Sequence, residues 1–259
     1  NQRTEYSLLT VAQQARRMGP GNCRNHAAHR CPAYPSPPIR IRAIATDAAA
    51  VRRVVGGDQA ALDLPVLNSQ LTGSDVVHAP LFDATKAAGM LDAAGWKMVG
   101  QTREKEGKKL EVTLTSIKGS EYERVIDEVI RQWSALGLVT HKKIVDTSGV
   151  ASTFVQDTLQ ARNYDVLLYE LAIGADPDVY AYWHSSQIGQ TGYNFSNYTN
   201  KTADANLASA RARLEPELRN AKYKQFVKQW VEDAPAIGLY QPVLEYVSRD
   251  HVTTVADGS

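Results

Sequence analysis

An α/β domain is what this sequence predicts, and three observations predict it. From Asp83 onward, runs with strand periodicity alternate with runs of helical periodicity, in the order helix, strand, helix, strand, helix, strand, two helices, strand. One helix, opening at Ser120, is strongly amphipathic. One strand, "YDVLLYEL" (164–171), is a largely apolar run between polar boundaries, the pattern of a strand covered on both faces.

The elements follow in order. "DATKAAGMLDAAGW" (83–96) reads as a short helix: Asp83 can accept from the free N–H groups of the first turn, and Gly95 suits a left-handed stop. "LEVTLTSI" (110–117) alternates as a half-buried strand does. Ser120 and Glu123 have capping-box spacing, and Tyr122, Val125, Ile126, Val129, Ile130, Trp133 and Leu136 recur on one helical face before Gly137. "LVTHKKIV" (138–145) resumes extended structure, and Thr153 with Gln156 opens a short helix to about Ala161. Helices over 202–213 and 216–233 come after the 164–171 strand. Pro216 takes the first position of the second, whose inward face is Leu218, Phe226, Val227, Trp230 and Val231. "AIGLYQPVLEYV" (236–247) is extended, with Pro242 marking an edge or a bend.

Composition excludes some classes of function. A formal charge of +1 over 259 residues gives no argument for nucleic acid or an anionic membrane as partner. No apolar stretch approaches the ~20 residues of a membrane span. "NQRTEYSLLT" lacks a signal peptide's apolar core, so a targeting segment is expected to lie outside this sequence. Before Lys86 the basic residues are all arginines, and the same region holds both cysteines and "CPAYPSPP", a shift that marks a boundary.

Candidate chemistry is sparse. Cys23, His26, His29 and Cys31 are suitable zinc donors, but their spacing matches no common zinc module. No G-x-S-x-G elbow is present, His141 and His251 stand alone, and "VVGGDQ" (54–59) reads as a helix end and a turn, so no cofactor is expected. Asp176 and Asp178 flank Pro177. Such a pair can hold a cation, but its commoner work is to bond nearby backbone N–H groups, and both are assigned to structure. The run 169–200 gathers seven aromatic and histidine side chains after Glu170, from Tyr180 to Tyr198, with three glycines. That is either core under a loop or the wall of a ligand cleft.

Six segments carry a resemblance: "RIRAIATDAAAVRRVV", "FDATKAAGMLDAAGW", "VIDEVIRQWSALGLVTHKKIVD", "ADPDVYAYWHSS", "YNFSNYTNKTADANLASARA" and "YKQFVKQWVEDAPAIGLYQPVLEYV". In this order, over residues 40–250, they resemble the extracellular solute-binding proteins of ABC importers, the peptide- and nickel-type family 5. The resemblance implies a type II periplasmic-binding-protein-like lobe, with a mixed sheet flanked by helices. It implies a two-lobed trap that closes on a peptide or other small solute and delivers it to a membrane permease, with no bond made or broken. Residues 39–250 would be the second lobe and 251–259 a truncated tail. Residues 1–38 do not resemble the family and are expected to be non-native or disordered, outside the sheet. The first lobe of the same protein would be a missing partner, nucleic acid would not be one, and the full-length protein would sit on the periplasmic or extracellular face, lipid-anchored.

The same resemblance supplies the site. The strand would end at the cleft edge, placing Glu170, Leu171, Ala172, Ile173 and Gly174 against the ligand, with Tyr182, Trp183, His184 and Asn194 giving shape and hydrogen bonds; no catalytic or metal-binding residue is expected. In the family's peptide binders an aspartate just upstream of Asp-Pro holds the terminal amine. Here that position is Ile173, which cannot neutralise an ammonium, and Glu170 is the acid that could substitute. Two other readings are a metal-dependent hydrolase using Cys23, His26, His29 or the Asp176/Asp178 pair, and an interaction module on the same fold.

Overall fold

The computed structural model describes residues 6–13, 39–149 and 153–242. Cys23, His26, His29, Cys31, His251 and the 243–247 end of the expected last strand lie outside them. The elements in chain order are β1 (Tyr6–Gln13), α1 (Ile39–Ile44), α2 (Ala48–Val55), β2 (Ala60–Ala61), α3 (Ala84–Ala93), β3 (Lys97–Val99), β4 (Thr102–Lys105), β5 (Lys108–Lys109), β6 (Glu111–Ile117), α4 (Ser120–Ala135), β7 (Val139–Val145), β8 (Val166–Ile173), α5 (Tyr180–Trp183), α6 (Lys201–Arg211), α7 (Pro216–Asp233), β9 (Ala236–Gly238) and β10 (Tyr240–Gln241). A π-helical turn, Phe154–Gln160, and a 3-10 turn, Ser185–Gln187, complete the set.

The main sheet has the order β7-β6-β8-β1-β9. β6 is parallel to both β7 and β8, whereas β1 runs antiparallel to β8 and to β9. It is a mixed sheet flanked by helices, as the resemblance implies. The position of β1 corrects the expectation for residues 6–13, the described part of 1–38: Tyr6 to Gln13 pair residue by residue with Ile173 to Val166, and Thr10 to Ala12 also pair with Gly238 to Ala236. "YSLLTVAQ" is a β-prone apolar run. Apart from Arg3, the arginine and proline content that marks the region belongs to the residues after it.

Strand alternation splits the core in two. Leu167, Leu171 and Ile173 face a cluster built with Trp183, Leu207, Tyr223, Phe226 and Trp230, on the α5–α7 side. Val166 and Leu168 face the other cluster, with Val112 and Leu114 of β6 and Val125, Ile126, Val129 and Trp133 of α4. Trp133 is fully buried, and its indole N–H donates to Thr46 Oγ1 at 3.0 Å, tying α4 to the α1–α2 corner.

Helix boundaries depart locally from the expectation. Gly119 is the N-cap of α4, with no side-chain bond, so Ser120 is the first helical residue and the capping box is not made. Thr153 likewise makes no capping bond. Leu218 is half-exposed, and Tyr223 takes the buried place on α7. Asp83 does cap α3 through Lys86 N–H at 2.8 Å, and Asn200 caps α6 through the N–H groups of Thr202 and Ala203.

Candidate functional site

The carboxyl ends of parallel strands are where open α/β sheets hold ligands, because loops diverge there and leave a crevice. Thr115 of β6 is level with Leu167 of β8, so β6 ends at Ile117 opposite Tyr169 and the stretch Glu170–Ile173 projects beyond its neighbour. This projecting lip and the loop after it are the candidate site.

Alternation decides what each lip residue offers. Ile173 is 3% exposed and Leu171 6%, and both pack into the α5–α7 core. Ile173 therefore turns away from solvent, and an acid at that position would be buried in apolar surroundings. Glu170 and Ala172 point to the opposite face. Glu170 Oε2 accepts from the Tyr122 hydroxyl at 2.9 Å, and the Tyr240 hydroxyl donates to Glu121 Oε1 at 2.5 Å. Burial first, then the adjacent carboxylates, push the Tyr122 and Tyr240 phenols well above the ordinary tyrosine value, so both remain donors. Ala172 is exposed, and its carbonyl accepts from the Tyr182 hydroxyl at 2.6 Å; the Gly174 carbonyl accepts from Gln70 Nε2 at 2.7 Å.

On the other side of the lip, Tyr169, Tyr182, Tyr193 and Phe195 form an aromatic cleft with edge-to-face contacts at centroid distances of 5.4, 6.4 and 6.2 Å. Its free volume is about 10 Å³, room for about one water. Burial, and then the neighbouring phenols, raise the Tyr169 and Tyr182 hydroxyls above their ordinary value.

The remaining expected site residues are spread between core and surface. Trp183 is 2% exposed and meets Trp230 edge-on at 5.4 Å. Asn194 is fully buried, and its amide is satisfied on both sides: Nδ2 donates to the His184 and Tyr198 carbonyls, and Oδ1 accepts from Ser196 Oγ and Tyr198 N–H. It organises the loop. His184 stacks on Tyr180 at 4.1 Å, and its Nδ1 accepts from Ser186 N–H at 3.0 Å. Of the nine residues, Glu170, Ala172, Gly174 and Tyr182 come together at the surface of the lip.

Asp176 and Asp178 are both engaged. Arg219 holds Asp176 through two bonds of 2.6 and 2.7 Å, and Arg211 Nε donates to Asp178 at 2.8 Å. Asp176 Oδ1 also accepts from Asp178 N–H, and Asp178 Oδ1 from Tyr180 N–H. These bonds fasten the loop after β8 to α6 and α7. The sequence reading missed Glu121, Tyr122 and Tyr240 as lip residues. Tyr122 carries the apolar stripe of α4 to its amino-terminal end, and that end of the stripe was the available signal.

No protein-family model matches the chain. It is 28% identical over 180 residues to Protein XP55 of Streptomyces lividans, an alignment covering 68% of this chain and 30% of that protein. Among the solved structures that share its fold are the following three. The oligopeptide-binding protein AppA of Bacillus subtilis, in complex with a nonapeptide, is 23% identical, with a TM-score of 0.74 over 92% of this chain and 45% of its own. NikZ of Campylobacter jejuni, in complex with Ni(L-His), is 20% identical, with a TM-score of 0.67 over 91% and 44%. The ABC transporter substrate-binding protein CtaP of Listeria monocytogenes is 18% identical, with a TM-score of 0.68 over 91% and 44%. The chain thus has the fold of the peptide- and nickel-type binding proteins that its sequence resembles, and it spans less than half the length of each.

Proposed function

We propose that this chain is one lobe of a solute-binding protein that captures a peptide or another small solute on the outer face of the cytoplasmic membrane for an ABC permease. The observation that carries the reading is the lip. β8 overshoots β6 at the carboxyl edge of the sheet, with a carboxylate, an exposed backbone turn and an aromatic cleft on its flanks. Capture is reversible, and no bond is made or broken. Glu170 keeps Oε1 without a hydrogen-bond partner among the described residues, so it can accept from a ligand ammonium in place of the acid absent at Ile173. Ala172 and Gly174 offer backbone, and Tyr182 steadies it. Closure against a first lobe would remove the ligand from water and strengthen each polar contact. The full-length protein would be lipid-anchored on the periplasmic or extracellular side; no helix among the described residues is long and apolar enough to cross a membrane.

Nuclear magnetic resonance tests the assignment. Di- to nonapeptides and a nickel–histidine complex are titrated separately into the labelled chain. Shift changes should centre on residues 170–174, 182 and 193–196 for at least one solute. No change with any of them at millimolar concentration, or changes confined to other faces, would overturn it.

A further inference from the structure

A second cavity lies away from the lip. It runs along the edge strand β9, across β1 from β8, between the α1–α2 corner, the segment from β2 through Phe82 and the end of α7. Its volume is about 600 Å³, within the range of small-molecule sites. The floor is apolar and tightly held: Leu62 is 1% exposed, Trp230 2% and Ile237 9%. Leu81 and Phe82 stand exposed at the rim. Trp230 also carries a buried indole N–H that has no hydrogen-bond partner among the described residues.

The polar lining is unequal in its commitments. Asp47 Oδ1 accepts from Ala50 N–H at 3.0 Å, and its Oδ2 lies 3.6 Å from Arg53. Asp63 accepts from Ala79 N–H at 2.9 Å and faces His78 Nδ1 at 3.1 Å through both oxygens. Arg52 is different. Its guanidinium is half-buried and makes one bond, from Nη1 to the Leu239 carbonyl at 3.3 Å, with no carboxylate in ion-pair reach among the described residues. A half-buried guanidinium with donors to spare, above an apolar floor, is built for an anion with an apolar body. The two aspartates that line the same cavity would repel a second negative charge.

We propose that this cavity binds a small organic monoanion, a carboxylate or sulfonate whose charge pairs with Arg52 and whose hydrocarbon part lies on Leu62, Trp230 and Ile237. The site is separate from the lip and does not rest on the transport reading.

Two dyes of one shape test it: anilinonaphthalene sulfonate, a monoanion, and phenylnaphthylamine, the same ring system without the sulfonate. The anion should bind one per chain. Arg52→Gln should weaken the anion about tenfold while leaving the neutral dye within about twofold, which also shows that the cavity is still folded. Ala49→Trp, which fills the cavity from α2, should weaken both dyes about tenfold. The proposal fails if the wild-type chain does not bind the anion, if Arg52→Gln leaves its affinity unchanged or weakens both dyes equally, or if Ala49→Trp leaves both affinities unchanged.

Discussion

Tyr122, Tyr198 and Tyr240 each donate a phenol proton to a carboxylate, of Glu170, Asp233 and Glu121 respectively, and Tyr164 donates to the Phe195 carbonyl at 2.7 Å. Burial is the first cause raising all four above the ordinary value of 10.0, and for the first three a carboxylate adds to it. A folded value above the unfolded one means that the folded state keeps a proton the unfolded chain releases. The stabilisation is therefore complete below pH 10 and is lost as pH rises beyond it. Denaturation midpoints should stay level up to about pH 10 and fall above it, with phenolate absorbance from the buried residues rising together with unfolding. Ionisation of all 12 tyrosines in a chain that stays folded would contradict this. Thr46 offers a second residue-scale test. It supplies the acceptor for the buried indole N–H of Trp133, so Thr46→Val should lower unfolding free energy by about 1–3 kcal/mol, read from chemical denaturation.

At the scale of elements, what was legible followed from periodicity. α4 could be read because its apolar residues recur at helical spacing, and β6 because it alternates. The β3–β4–β5 meander was not read: β3 and β5 are exposed throughout, so no buried face writes a period into them. β1 was obscured by its sequence neighbours. The strand that forms the lip was legible along the chain, but a strand covered on both faces reads as one apolar run. Which of residues 170–174 turn outward was therefore hidden until β8 showed Glu170 and Ala172 on one face and Leu171 and Ile173 on the other. β1 carries a decisive prediction. Val11 pairs with Leu168 on one side and Ile237 on the other, so proline there interrupts the ladder inside the sheet. Val11→Pro should destabilise the chain by about 2–3 kcal/mol or more, measured by chemical denaturation. A segment outside the sheet would accept the same change without effect.

For the molecule as a whole, a chain that acts as the single lobe proposed above can offer a ligand only one wall. The chain spans 45% of AppA and 44% of NikZ and CtaP, and its aromatic cleft has room for about one water. A ligand lying across the lip would meet Glu170 on one flank, the Ala172–Gly174 backbone at the edge and the aromatic rings on the other flank, with its outer side in water. Exposed polar contacts of that kind contribute little each, since water competes for both partners. Closure, which would dry the site, needs the opposing lobe. Calorimetric titration of the chain with the peptides used for resonance mapping should therefore give dissociation constants weaker than about 1 μM, that is, binding less favourable than about −8 kcal/mol. Glu170→Gln should weaken peptides with a free amino terminus and spare those with a blocked one, because only the former bring an ammonium to the carboxylate. A sub-micromolar constant would mean that these residues already enclose their ligand, and the half-trap account would fall even with the lip confirmed as the place of contact.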